Sequence, residues 1–428
     1  MSERKFKYVG TRPIRPDGVD KVTGRANYGA DFTAQGLLHG VVLRSPHAHA
    51  RIVSIDTKRA SEMPGVHAII TADDLPDLPK DFTGGIEGHV NFSELSRNCM
   101  ARDKALYHGH AIAAVAATTR ELALAACREI EVSYDVLEPV LDIDAAISPS
   151  APILHEDLRT QDMTAGLSEA PSNIASRMEF RRGDVEAGFA LADVIAEREF
   201  TTPMIHQGYI EPHAVVARAG EDDQMVIWVS TQGGFMVREY IAALLGIETA
   251  KIKVVPSEIG GGFGGKTTIY QEPLAAVLAR KSQRPVKMVM SREEVFRATG
   301  PTSGSKMLFK LGATRDGRIT DASASIYMEA GDFPGGSGGA AAMCAFGPYA
   351  FPNFFVEAYD VVLNKPKVAA YRAPGAPMGA LGVECLIDEL AASLEMDPID
   401  LRLANAAQEG DTSPVGAPYG PIGLRETL

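Results

Sequence analysis

The chain has 428 residues, 45% hydrophobic and 23% charged, the composition of a globular protein long enough for two or three domains. Its formal net charge of −13 removes phosphate-backbone attraction as a driving force and argues against nucleic acid or an anionic membrane as partner. The longest apolar runs, such as 111–117, fall far short of a bilayer span, and the first residues lack a secretory signal's apolar core.

Four cysteines (Cys99, Cys127, Cys344 and Cys385) stand far apart without Cys-x-x-Cys spacing. This spacing predicts reduced thiols in a cytoplasmic protein and no iron–sulfur cluster or zinc ribbon on this chain.

In chain order, residues 40–44 and 50–55 read as strands, followed by a short helix from 60 that Pro64-Gly65 ends. Residues 66–70 and the unbroken apolar run 111–117 are further strands. Helical spacing over 120–129 then gives way to alternation at 131–134. Residues 151–175, rich in Pro, Ser and Asp, read as a surface linker. Beyond it, strands are predicted at 194–200, 215–218, 225–230, 251–255, 286–290 and 319–329. Helices are predicted at 234–245, 268–281 and 379–394, and the Gly- and Pro-rich tail 410–428 reads as a connector. The pattern is α+β, divided at 1–150 and 176–428.

The strongest chemical signal is Gly260-Gly261-Gly262-Phe263-Gly264-Gly265-Lys266-Thr267, between a predicted strand and a predicted helix. Glycines let backbone amides approach a ligand, and a helix N-terminus beside them favours an anion. The segment satisfies both the dinucleotide fingerprint and the triphosphate-loop pattern G-x-x-x-x-G-K-[ST]. Against the first, Pro256 to Ile259 separate strand from loop, and Ser291-Arg292 stand where an acidic residue is wanted. Against the second, no following strand ends in a magnesium-binding aspartate. A triphosphate-binding protein using Lys266 and Thr267 is the rival expectation. The bland reading is a turn packing a helix on a strand. On the residues alone, Gln232 would satisfy a turn at a strand end, Phe263 would be core, and Arg372 has Glu384 and Asp388 as available partners on the next helix. His206 reads as a satisfied buried histidine and Glu211 as a structural cap or ion pair.

A series of motifs carries a family likeness: Asp20-Lys21-Val22-Thr23-Gly24-Arg25, Ser45-Pro46-His47-Ala48-His49-Ala50, Asp103-Lys104 to Tyr107-His108-Gly109, His206 with Glu211-Pro212, Ser230-Thr231-Gln232, the glycine loop, and Ala370-Tyr371-Arg372-Ala373-Pro374-Gly375. In that order and spacing the chain resembles the molybdopterin-binding large subunit of the xanthine dehydrogenase and aldehyde oxidase family. The resemblance implies an α/β hammerhead domain over about 1–150 and the first molybdenum-cofactor-binding domain over 176–428. It also implies roles. Gln232 is similar to the glutamine whose amide donates to an oxygen ligand of molybdenum. Phe263 and Gly264 resemble the loop residues beside metal and pterin, and Arg372 the arginine whose backbone faces the metal. Gly262, Gly264 and Gly265 are the expected backbone contacts, and Phe263 and Thr267 face substrate. The metal is held through the pterin, with no direct side-chain ligand.

Members of the family hydroxylate an electron-poor carbon with oxygen from water, using a glutamate base and passing electrons through iron–sulfur centres to a flavin. The implied cofactor is molybdopterin cytosine dinucleotide, with [2Fe-2S] and FAD on partner subunits. The family's base lies in a second cofactor-binding region beyond these residues. No catalytic residue is therefore expected in this chain, and the division resembles the split large subunit of nicotinate dehydrogenase, with a second molybdopterin-binding subunit as partner. Purine-oxidising members place a glutamate where Thr267 stands, and copper-dependent carbon monoxide dehydrogenases need a cysteine where Ala373 stands. An N-heteroaromatic such as nicotinate or an aldehyde is left as substrate. A 4-hydroxybenzoyl-CoA-reductase-like chain acting on an aromatic thioester, or a non-catalytic assembly subunit, is the alternative within the same fold.

Overall fold

A computed structural model describes residues 6–85, 90–220 and 222–428. Its architecture is α+β, built on two seven-stranded sheets. The first runs Ile252–Pro256, Met225–Val229, Ala214–Ala219, Val286–Val289, Leu38–Arg44, Ala111–Ala117, Val66–Ile70. Leu38–Arg44 pairs antiparallel with Ala111–Ala117 and parallel with Val286–Val289, Leu38 facing Val286. One sheet thus joins strands from both sides of the division drawn on the sequence.

Ala111–Ala117 is buried on both faces because its small side chains admit helices above and below. Ala113, Val115 and Ala117 pack with Ala123 and Ala126 of helix Arg120–Arg128, which Thr119 caps by accepting from the Leu122 N–H. Ala114 and Ala116 share the other core with Leu274 to Ala279 of helix Glu272–Ser282.

The second sheet runs Gly166–Pro171, Arg159–Asp162, Ile174–Arg182, Phe354–Val362, Ile319–Gly331, Ser305–Ala313, Val194–Thr202. Helices Gly338–Ala345 and Ala376–Ser393 cover it, with Val383, Leu386, Ile387 and Leu390 turned into its core. Residues 151–175, expected as a linker, instead supply the edge strand Gly166–Pro171 of this sheet and its neighbour Arg159–Asp162. Their mostly half-buried or exposed pattern hides the strand signal. Helix 234–245 stands where predicted, stopped by Gly246 at φ 63°. The helix expected from 268 starts only at Glu272, with Pro273 in its first turn. Among the described residues no helix is long and apolar enough to cross a membrane.

Asp332, in the turn after Ile319–Gly331, is fully buried, and neither carboxylate oxygen has a hydrogen-bond partner among the described residues. Burial pushes its pKa up to about 8. The folded state therefore holds a proton that the unfolded chain has released, and stability falls as pH rises through that window. Burial moves His110 the other way, to about 4, so its effect is confined below its ordinary range. From pH 6.5 to 8 the thermal midpoint is expected to fall, and Asp332→Asn to flatten that fall. An unchanged slope in the variant, read by calorimetry, would refute this assignment.

A candidate cofactor site where two loops meet

The glycine loop leaves the first sheet after Ile252–Pro256, and the segment 363–375 leaves the second after Phe354–Val362. They meet where the Arg372 N–H donates to the Phe263 carbonyl at 2.9 Å. Both sides carry a non-glycine residue in the left-handed region, Phe263 at φ 53° and Ala373 at φ 61°. Such conformations cost about 1–3 kcal/mol each and persist where surrounding bonds enforce them, as at ligand sites.

The base of the loop is fixed by one buried ion pair. Lys266 is 1% exposed, and its Nζ donates to Glu211 Oε2 and Ser230 Oγ, both at 2.7 Å. The Glu211 carboxylate also accepts from the Gly260 N–H at 2.8 Å and from Ser230 Oγ at 2.9 Å. Burial lowers the Lys266 pKa, and Glu211 opposes that shift. This arrangement overturns the triphosphate-loop expectation. The ammonium faces the protein interior, and helix Glu272–Ser282 begins too late to present its N-terminus to a phosphate at 260–265.

Gln232 fixes the loop's crest. Its Oε1 accepts from the N–H groups of Gly264 at 2.9 Å and Lys266 at 3.2 Å. Two backbone donors on one atom identify that atom as the oxygen, so the amide nitrogen points the other way. Gln232 is exposed, and its Nε2 meets no acceptor among the described residues. The glycines are explained by close approach of protein to protein. A Cβ at 262 would lie 2.4 Å from Gln232 Oε1, and one at 264, where φ is 104°, would lie 2.5 Å from the Ala370 carbonyl.

Of the amides expected to meet a cofactor, that of Gly264 is committed to Gln232 and that of Gly265 donates to the Gly262 carbonyl at 2.8 Å. The N–H groups of Gly261, Gly262 and Phe263 have no acceptor among the described residues. Phe263 is 51% exposed and so is not core. Arg372 is exposed, and Glu384 and Asp388 are taken by Arg402 at 2.8 and 2.7 Å. His206 is held by Thr299 and by the Gly208 N–H, which donates to its Nδ1. Burial lowers its pKa to about 4, so it stays neutral.

Thr267 donates its hydroxyl proton to the Gly264 carbonyl at 2.6 Å and lines a cavity of about 510 Å³ with Tyr240, Thr268, Tyr270, Lys367 and Ala370. Glu211, expected as a structural cap or ion pair, does pair, with Lys266, a partner that spacing alone does not name. Lys367, which also lines the cavity, is not singled out by the sequence.

The arrangement offers backbone N–H groups, an uncharged amide donor and an exposed ring around an opening. That donor set suits an uncharged or anionic oxygen-rich group and supplies no protein metal ligand; among the described residues no cluster of three metal-binding side chains occurs.

Residues 167–406 match the molybdopterin cofactor-binding domain, and residues 23–138 match the aldehyde oxidase and xanthine dehydrogenase a/b hammerhead domain. The chain is 31% identical over 432 residues to the nicotinate dehydrogenase large molybdopterin subunit of Eubacterium barkeri, covering 99% of this chain and 96% of that one. It is 32% identical over 433 residues to the carbon monoxide dehydrogenase large chain of Afipia carboxidovorans, covering 97% of this chain and 52% of the relative. The crystal structure of quinoline 2-oxidoreductase from Pseudomonas putida 86 superposes with a TM-score of 0.85 at 27% identity, over 97% of this chain and 52% of that one. The chain therefore spans nearly all of the first relative and about half of the other two. It belongs to the xanthine dehydrogenase and aldehyde oxidase family, as a molybdopterin-binding large-subunit chain.

Proposed function

We propose that this chain supplies one wall of the cofactor cavity of a multi-subunit molybdenum hydroxylase. The enzyme would oxidise an electron-poor carbon of an N-heteroaromatic or aldehyde with oxygen from water. Electrons would leave through [2Fe-2S] and FAD partner subunits. The supporting observation is that Gln232 Nε2 and three successive loop amides have no acceptor among the described residues while the rest of the loop is bonded to the protein. The cytosine dinucleotide form of molybdopterin is the proposed cofactor. When bound, it supplies the metal that takes two electrons from the substrate carbon.

This chain's residues do the positioning. Gln232 donates through Nε2 without adding charge, the N–H groups of Gly262 and Phe263 add fixed donors, and the Phe263 ring walls the opening. The Arg372 backbone, tied to the Phe263 carbonyl, sets the spacing between the two loops. Glu211 is not a free base, because Lys266, Ser230 and Gly260 hold its carboxylate. We assign the proton-abstracting glutamate to polypeptide outside these residues, on a second molybdopterin-binding subunit. Thr267 in place of a charged residue disfavours xanthine as substrate, and Ala373 disfavours the copper-dependent reaction.

Gln232→Glu separates the two faces of that residue. The carboxylate still accepts from Gly264 and Lys266, but the outward donor is lost. Loss of one such donor costs about 100-fold in kcat. In the assembled enzyme, steady-state assay with a dye acceptor is expected to show that loss with molybdenum content retained. Near-normal kcat would refute the donor role.

A further inference from the structure

The cavity beside Thr267 does not stand alone. A second cavity of about 430 Å³ shares a wall with it and has the exposed Lys80, Asp103, Glu156 and Asp157 at its rim. Among the described residues, four line both cavities: Asn91, Glu94, Phe333 and Pro334. Three of these have no proton to exchange at ordinary pH. Glu94 is therefore the ionisable side chain of the partition, and no other described residue shares that position.

Asn91 caps helix Phe92–Cys99 by accepting from the Glu94 N–H at 3.1 Å, which fixes the glutamate in the helix's first turn. The Glu94 carboxylate accepts no hydrogen bond and forms no ion pair among the described residues. The carboxylates at the outer rim differ: Asp103 is held by Arg97 at 2.9 Å, Glu156 by Lys104 at 3.4 Å, and Asp157 by Lys80. A half-buried carboxyl without a partner, set between two cavities, is free to exchange a proton with water on either side. The charged groups acting on it from other elements are Lys367, Asp157, Asp360 and Asp332. Burial and the acids favour its protonated form, Lys367 its ionised form, and burial is the largest effect, holding the pKa at about 7.

Hydroxylation with oxygen from water has a proton balance. The substrate C–H bond and one O–H bond of water break, a C–O bond forms, and two electrons and two protons are released. The electrons leave through the partner subunits, and the protons must reach solvent. We infer that Glu94 is a proton-conducting residue, passing protons from the cavity beside Thr267 to the outer cavity and its water. In each cycle the carboxyl loses a proton outward and regains one from the inner side, so it ends as it began. This rests on the hydroxylase reading for the source of the protons, but not for the exchange across the partition.

The test uses the assembled complex, with nicotinate and benzaldehyde as probes and a dye acceptor. Glu94→Gln keeps the shape of the side chain and removes the exchangeable acid. It is expected to lower kcat at least about tenfold with KM unchanged, and to enlarge the solvent deuterium isotope effect. Glu94→Asp should recover much of the rate, and added imidazole should restore the Gln variant by carrying the proton itself. A merely structural role would not respond to imidazole. Infrared titration of the complex gives a readout apart from activity: a carboxyl band that titrates near neutrality and disappears in Glu94→Gln. An unchanged kcat in the Gln variant, a loss that neither imidazole nor Asp repairs, or a variant that lacks no such band would each overturn the inference. A wild-type complex that holds no molybdenum and turns over neither probe would sink the hydroxylase reading. Wild-type turnover with an unaffected Gln variant would sink the Glu94 assignment alone.

Discussion

Lys266→Ala is expected to destabilise the protein by about 3–5 kcal/mol, because it strands a buried carboxylate. The lysine side chain is fully shielded and Glu211 nearly so, and the pair also holds Ser230 and the Gly260 N–H. Deleting the ammonium leaves Glu211 to protonate or to draw in water, and either outcome releases the first residue of the glycine loop. Urea unfolding of the purified protein measures the loss. A double variant, Lys266→Met with Glu211→Gln, should lose less than the single variants together, since the two residues act as one unit. A loss below about 1 kcal/mol for Lys266→Ala would contradict the pair's structural role. The rival triphosphate reading predicts the reverse pattern, an intact fold that loses protection by magnesium-ATP. With Nζ turned inward, magnesium-ATP is expected to give the wild-type protein no thermal protection at all.

Gly264→Val is expected to empty the cofactor site at a smaller cost in stability. The new Cβ would sit 2.5 Å from the Ala370 carbonyl, at a φ of 104° that β-branched residues avoid. That carbonyl cannot yield easily, because Gln207 Nε2 donates to it at 2.9 Å. The loop must therefore move away from the 363–375 segment, breaking the register set by the Arg372 N–H on the Phe263 carbonyl. Strain of about 1–3 kcal/mol and at least a tenfold fall in molybdenum per chain are expected. Gly246→Ala is the control: this helix-ending glycine also has positive φ, but open space surrounds it. It should lose about 1 kcal/mol with molybdenum unchanged. Equal molybdenum content in the two variants would contradict the loop's assignment.

The sequence discloses what local chemistry controls. Helix 234–245 is legible because a helical apolar face ends at a glycine, and the glycine loop is legible because few other purposes justify five glycines in six residues. A motif does not say where a side chain points. G-x-x-x-x-G-K-[ST] fits the letters, yet the partner that turns Lys266 inward is Glu211, 55 positions upstream. The pairing of Leu38 with Val286 is equally invisible, since it depends on contacts across nearly 250 residues. Residues 159–171 read as linker because short strands at and next to a sheet edge bury little, and the edge tolerates Pro and Ser. The segment 354–362 alternates buried and half-buried positions, a strand signal that its flanking aromatic and proline residues obscured.

The central claim is that the Gln232 amide, the 261–263 N–H groups and the Arg372 segment form part of a molybdopterin cavity. Elemental analysis of the complex purified through this chain tests it most directly, with acid-released nucleotide measured on the same sample. One molybdenum and one cytidine nucleotide per copy, both lost in Gly264→Val, are predicted. An active complex without molybdenum, or one whose molybdenum survives that substitution undiminished, would contradict it.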